Sequence, residues 1–323
     1  MRIAYLVLAH DQPELFGRLV GAVHAESTAI YAHIDAKVDI TPFSSACSGV
    51  PVTFVSNPVQ VSWGGYSQVV AMLRLLEKAV EAGEHDYYIF LSGRDYPLHS
   101  HSHLLELLDR HPDRSYMNFY ALADGTDLVN NIRRHCFFDA YAKLPTRFLQ
   151  RAAGRVVKEI SSRLPDRKFI DGMQPYRGST SWCLSSDIVK YTVNFVHDPR
   201  NRDFIKFFHS VSCCDEIFFQ TIVLNSSYAP TLNLFDVDGH RPPGEMKNEN
   251  KASLHYIDWN PARDNPAILC DSDFDVMYAS GKMFARKFDQ RRSAGVLDRI
   301  DAVRQTQEKE SRLLKAHGGA RIA

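Results

Sequence analysis

The sequence has neither a G-x-G-x-x-G following its first apolar run nor a Walker A loop, which removes the two commonest glycine-rich phosphate cradles. It has no G-x-S-x-G elbow, and the adjacent Cys213 and Cys214 stand beside acids rather than bases, so serine and thiolate nucleophiles have no support. No pair of acids stands out as the acid and base of a glycoside hydrolase. The 14 histidines are scattered without metal-ligand spacing, and His101 and His103 in a polar turn read most simply as solvent-facing. The six cysteines form no C-x-x-C pair, and a bridge between neighbours 213 and 214 is strained, so free thiols in a reducing compartment are expected. No apolar run approaches a membrane span, and the one in residues 1–10 is too short for a signal peptide. Lys+Arg and Asp+Glu are both 38, so no global charge draws nucleic acid or an anionic surface; any anion site must be local.

What is present is an ordinary soluble composition, 45% hydrophobic and 24% charged over 323 residues, enough for one large α/β domain. Ile3 to Ala9 reads as a buried strand, followed by Asp11 as a helix cap with Pro13 in the first turn. Leu15, Phe16, Leu19, Val20 and Val23 then recur at helical spacing. Residues 29–35 and 52–55 read as further strands, and Val69, Val70, Leu73, Leu76 and Val80 share one side of a strong helix. Residues 87–91 form a continuous apolar run that stops at Ser92-Gly93-Arg94-Asp95, a strand buried on both faces with polar groups at its carboxyl end. In open α/β sheets that end is where ligands bind. The alternation implies a mainly parallel, Rossmann-like sheet flanked by helices. Residues 124–167, rich in Arg, Asn and His, read as an irregular excursion, residues 212–224 as one helix with Asp215 and Glu216 in its first turn, and the tail from residue 290 as a charged amphipathic helix.

Three constellations bear on chemistry. Asp215 and Glu216 either cap a helix or supply a general base, since a helix N-terminus keeps a carboxylate ionised. Arg286-Lys287, between Phe284 and Phe288, is either a solvated pair or a clamp for a diphosphate, a planar fork beside a point charge. Of the Asp-x-Asp tripeptides that could hold a divalent ion, those at residues 271–275 are explained by capping, which leaves Asp236-Val237-Asp238. Gly64-Gly65, ahead of a helix, is a turn that could also approach a phosphate.

Seven stretches in order resemble the core-2/I-branching family of glycosyltransferases, which includes branching β-1,6-N-acetylglucosaminyltransferases and peptide O-xylosyltransferases. They are Ala4-Tyr5-Leu6-Val7-Leu8-Ala9-His10, Tyr31-Ala32-His33-Ile34-Asp35, Ser62-Trp63-Gly64-Gly65 with Ser67, the run from Phe90 to Leu98, Gly178-Ser179 with Trp182, Asp215-Glu216 with Phe218-Phe219, and Phe284-Ala285-Arg286-Lys287-Phe288. The resemblance implies a GT-A-type α/β fold and transfer of N-acetylglucosamine or xylose from a UDP-sugar, with inversion and without a metal or other cofactor. It implies Glu216 as the base that deprotonates the acceptor hydroxyl, and Arg286 and Lys287 as the cations that take the UDP diphosphate. Asp35 matches the uridine-contacting acid, and His10, Trp63 and Gly64 would line the donor site. Asp95 is expected to position the donor sugar or to fix Arg94 and its loop; Trp182, Arg133 and Arg134 are expected on the acceptor side.

The pattern departs from the family at His255, where some relatives have a diphosphate-binding arginine and which would serve only when protonated. It departs again at Ser181, where the xylosyltransferases have an acid. Residues 1–289 are expected to be one glycosyltransferase domain, in which residues 1–120 bind the donor and residues 121–289 bind the acceptor, followed by the 290–323 helix. The expected partners are a UDP-sugar and a glycan or glycoconjugate acceptor, not nucleic acid. The expected setting is the bacterial cytoplasm, or the inner face of its membrane. Two other readings stay open: a metal-dependent transferase using Asp236 and Asp238, and a non-catalytic nucleotide- or glycan-binding protein.

Overall fold

The computed structural model describes residues 1–122, 129–232 and 252–318, with side chains as far as Leu314. The chain begins by alternating β1 (Ile3–Ala9), α1 (Pro13–Val23), β2 (Thr28–Ile34), α2 (Thr41–Ala46), β3 (Thr53–Phe54), α3 (Tyr66–Ala82), β4 (Tyr87–Ser92), β5 (Asp95–Pro97) and α4 (His101–Arg110). Next come β6 (Tyr116–Met117), β7 (Tyr120–Ala121), α5 (Asn130–Arg133), α6 (Phe138–Ala142), α7 (Arg147–Arg163), β8 (Tyr176–Arg177) and β9 (Trp182–Ser185). The chain ends with α8 (Ser186–His197), α9 (Arg202–Phe208), α10 (Phe218–Leu224), β10 (His255–Ile257), α11 (Phe274–Ala279), β11 (Phe284–Arg286) and α12 (Ala294–Gly318).

The main sheet runs β3-β2-β1-β4-β9-β6. Its first four strands are mutually parallel, as the alternation of strands and helices requires, while β9 pairs antiparallel with both β4 and β6. Side chains of β1 alternate between two cores: Ile3, Tyr5 and Val7 pack beneath α1, and Ala4 and Leu6 pack beneath α3. A strand covered on both faces has no position for a polar side chain, which is why β1 and β4 read as unbroken apolar runs. From β1 the chain leaves toward β2 on one side, and β4 joins on the other. That is a topological switch point, and the residues after β1 and β4 lie at the crevice it opens.

A second, three-stranded sheet of order β10-β11-β5 caps this end. Its register sets Arg286 opposite Asp95. The C-terminal helix docks onto the same body. Val296, Leu297 and Ile300 join the core, Arg18 donates to Asp298 (2.7 Å) and Asp301 (2.8 Å), and the Tyr96 hydroxyl donates to Asp301 (2.8 Å).

Three local expectations differ from the structure. The N-cap of α1 is Gln12, in the left-handed region (φ 55°), and Asp11 instead lies 3.8 Å from Arg94. Residues 212–224 are not one helix: Cys213 turns left-handed (φ 50°), residues 214–216 form a single 3-10 turn, and α10 begins only at Phe218. The excursion at 129–167 is helical, built from α5, α6 and the 17-residue α7.

Candidate functional site

The short sheet builds one half of the site. Asp95 follows the Ser92-Gly93-Arg94 turn and is 1% exposed. Its carboxylate accepts from the Ser92 backbone N–H (2.8 Å), from the Ser92 hydroxyl (2.7 Å) and from Arg286 Nη1 (3.0 Å), and His255 Nε2 lies 3.5 Å away. Arg286 also donates to Ser92 Oγ. Burial alone would raise the Asp95 pKa, but the Arg286 charge and the neighbouring His255 reverse that and hold it down at about 2. Asp95 thus fixes Arg286 and the Ser92 turn.

Lys287 follows at the end of β11. Burial, and then repulsion from Arg94 and Arg286, lowers its pKa, an effect that the charges of Asp11 and Asp264 offset only in part. Among the described residues no carboxylate forms a salt bridge with it. Arg94 does not join the pair as a free cation: it donates to the Phe288 carbonyl (3.1 Å) and to Asp289 (3.1 Å), tying the β4 turn to the chain after β11.

The other half comes from residues 213–216. The Cys213 N–H donates to the Gly64 carbonyl (3.0 Å), so this turn is fastened to the loop before α3. Gly64 itself has φ 72°, a left-handed backbone that favours glycine, while a Cβ there would meet Phe138 and Cys213 only at ordinary contact distance. The same loop is held from α6, where Asp139 accepts from the Ser67 N–H (2.9 Å) and hydroxyl (2.6 Å). Glu216 is partly exposed and forms an ion pair with Arg177 of β8, whose own pKa is raised by that carboxylate against the opposing effect of burial.

Beside it, Asp215 is buried and accepts from Gln68 Nε2 (2.7 Å). Burial, then the Glu216 charge, pushes its pKa up, only partly offset by Arg177 and Arg286. A carboxyl whose folded pKa is raised contributes stability at low pH that is lost as pH rises through that pKa. Asp215→Asn is thus expected to flatten the loss of stability on going from mildly acidic pH through neutrality. Melting temperatures measured across that range would show it, and an unchanged pH dependence would contradict the placement of a neutral carboxyl here.

A family model described as "Core-2/I-Branching enzyme" matches residues 3–277. The chain belongs to this family. Among curated proteins, xylosyltransferase 1 of Mus musculus is 25% identical over 313 residues, covering 94% of this chain and 30% of its own length. Xylosyltransferase 2 of Homo sapiens is 26% identical over 317 residues, covering 93% and 33%. The chain thus spans about a third of the length of these relatives. Among solved structures, glucosyl-3-phosphoglycerate synthase from Mycobacterium tuberculosis, in complex with Mn2+, UDP and phosphoglyceric acid, overlays on 64% of this chain and 66% of its own. Its TM-score is 0.29 and its identity 11%, too loose to carry detail. With membership in the core-2/I-branching family, the layered architecture is of the expected GT-A type.

Of the family-matched positions, His10, Asp35 and Asp95 follow the carboxyl ends of β1, β2 and β4. His10 follows β1, exposed, with Nε2 3.8 Å from Asp11. Asp35 follows β2, buried, and accepts from the Lys37 N–H (2.9 Å) and the Val61 N–H (3.3 Å) while pairing with the Lys37 ammonium (3.2 Å). Trp63 projects from the loop before α3 with 80% of its surface exposed, a large apolar ring turned to solvent. Arg134 lines a cavity of about 850 Å3 between α6 and α7, with Phe137, Phe138, Tyr141 and Arg151 among its other walls. Arg133 ends α5, and its carbonyl accepts from the Arg167 N–H (2.9 Å).

One expectation needs correction. Trp182 is 1% exposed, wedged between Phe90 (centroids 5.4 Å) and Phe219 (5.9 Å), because β9 is sandwiched in the sheet with both faces covered. It is a core residue and faces no acceptor. His255 is equally buried, stacked on Phe284 and behind Asp95, so it supports the cation holder and does not reach toward a diphosphate. Asp236 and Asp238 lie outside the described residues; among those described, no three His, Cys, Asp or Glu side chains cluster as metal ligands would. Sequence reasoning missed Arg177 and Asp139. Neither stands in a recognisable pattern, since each acts on a partner 39 or 72 residues away in sequence.

Proposed function

We propose that the chain is an inverting glycosyltransferase that moves a sugar, N-acetylglucosamine or xylose, from a UDP-sugar to a hydroxyl of a glycan or glycoconjugate. The observation that supports this most is the β5–β11 register, which sets Arg286 on a buried carboxylate and Lys287 beside it at the carboxyl end of a parallel sheet. In the reaction, Glu216 takes the acceptor hydroxyl proton as the oxygen attacks the anomeric carbon from the face opposite UDP. The bond to the diphosphate breaks with its electron pair going to UDP. Arg286 and Lys287 offset the charge that develops there, the role a divalent ion plays elsewhere. Arg177 keeps the Glu216 carboxylate oriented. The loop holding Trp63 and Gly64, with His10 and Asp35, receives the nucleotide side, and Arg133, Arg134 and the α6–α7 cavity receive the acceptor.

The reaction is metal-independent in this reading because the one acid at the end of β4 is already neutralised by Arg286. UDP release with a panel of donors and acceptors is expected to be unchanged in EDTA, and Lys287→Ala is expected to weaken UDP binding about tenfold, or about 1.4 kcal/mol. Loss of turnover in EDTA, restored by Mn2+ or Mg2+, would favour Asp236 and Asp238 instead. UDP-dependent thermal stabilisation without turnover of any donor would mark a binding protein.

A further inference from the structure

The cavity between α6 and α7 carries charge of one sign. Its walls hold five cations, Arg134 just after α5 and Arg147, Arg151, Arg155 and Lys158 on α7, and no Asp or Glu lines it. The four on α7 are spaced four, four and three residues apart, which stacks them in one row along the helix. Like charges at that spacing repel and weaken a helix. The nearby acids do not relieve them. Glu159, the single acid of α7, pairs with Arg163 (2.7 Å), and Asp139 of α6 is held by the Ser67 N–H and hydroxyl. Among the described residues none of the five cations forms an ion pair. In a chain whose total charges balance, this is a local concentration of positive charge.

The walls are fixed in place. Gln150 Nε2 donates to the Ala142 (3.1 Å) and Leu144 (2.8 Å) carbonyls, and the Tyr141 ring lies 3.3 Å from where a Cβ on Gly154 would sit, so α7 rests closely on α6. On the other side Arg167 Nη2 donates to the Arg134 (3.2 Å) and Ser210 (3.1 Å) carbonyls. The rest of the lining includes the rings of Phe137, Phe138 and Tyr141, flat apolar surfaces suited to the C–H face of a pyranose, and the volume of about 850 Å3 accommodates a small oligosaccharide. The cavity also adjoins the turn that carries Glu216. Phe138 lies 3.4 Å from the place of a Cβ on Gly64, the Gly64 carbonyl accepts from the Cys213 N–H (3.0 Å), and the Cys213 carbonyl accepts from the Glu216 N–H (3.2 Å).

We propose that this cavity is a subsite for an acidic saccharide: the acceptor carries a phosphate ester or a carboxylate on a sugar near the one whose hydroxyl is extended. The guanidinium forks of α7 hold the oxyanion, and the rings hold the sugar that bears it. A neutral acceptor would leave the row of cations facing one another, and the diphosphate of the donor has its own cations in Arg286 and Lys287. The inference rests on the reading of this cavity as the acceptor side.

The test is calorimetric titration of the full chain, without donor, with cellobiose, its phosphate monoester and cellobiouronic acid. At about 0.1 M salt the acidic disaccharides are expected to bind about tenfold or more tightly than cellobiose, an advantage mostly lost at about 0.5 M. The tighter of the two identifies the oxyanion that the forks fit. Arg151→Gln/Arg155→Gln is expected to erase the preference, while UDP affinity and melting temperature stay those of the parent. Equal affinity for the three disaccharides, or a preference that survives Arg151→Gln/Arg155→Gln, would overturn the inference. So would displacement of the acidic disaccharide by a single-stranded oligonucleotide that binds more tightly, because the row would then track a nucleic-acid backbone. The two readings fail separately. Absence of any preference, with UDP release to a neutral glycan, would remove the acidic subsite and leave sugar transfer standing. An arginine-dependent preference, with UDP release to neutral glycans alone, would keep the subsite and remove the cavity from the acceptor side.

Discussion

Glu216→Gln is expected to lower kcat by about a thousandfold while leaving UDP affinity within about twofold, as befits loss of a general base. The substitution keeps the size of the side chain and an oxygen that can accept from Arg177, so the 3-10 turn at residues 214–216 and its tie to Gly64 should persist. What it removes is the capacity to take a proton. Stopped UDP-release assays beside calorimetric UDP titration separate the two quantities. Turnover of the variant near that of the parent would sink the base assignment. Equal loss of turnover and of UDP binding would show that Glu216 holds the donor instead.

Asp95→Asn is expected to act on both stability and binding. The amide is nearly isosteric, but it leaves Arg286 without its counter-charge in a site that is almost wholly dry at Asp95. Breaking such a pair from one side costs about 3 kcal/mol, enough to lower the melting temperature by several degrees, and Arg286, no longer held, should bind UDP more weakly. The carboxylate's pKa is depressed in the folded protein, so its contribution is present above the unfolded value near 4 and is lost as pH falls toward about 2. The parent should therefore lose more stability than the variant between those two pH values. Parallel acid-unfolding curves for the two proteins would contradict the pairing.

Much of the scaffold was legible in the chain. β1, β2 and β4 are buried on both faces, and burial on both faces writes itself into sequence as an unbroken apolar run; α1 and α3 pack one face and show helical periodicity. Arg286, Lys287 and Glu216 stand out from charge, turn position and family pattern. The same reasoning misreads Trp182, because an aromatic residue beside a Gly-Ser turn looks ligand-facing until its strand is known to run inside the sheet. It also reads residues 124–167 as irregular, although Thr146 caps α7 and Leu149, Val156 and Ile160 recur along it at helical spacing.

What only the tertiary structure decided are the long-range pairings and the local breaks. Asp95 and Arg286 are 191 residues apart and meet through strands of three residues each; nothing in so short a segment encodes a register, which is set by the sheets around it. Arg177 finds Glu216 across 39 residues for the same reason. The break at Cys213 is a left-handed residue that is not glycine, a conformation that the surrounding packing imposes and that residue type does not announce. Sequence alone determined which side chains could carry charge and proton, because those are properties of single residues. The fold decided that Asp95 holds Arg286 and that Glu216 stands beside Arg177, because the energy of a charge depends on what is brought within a few ångströms of it.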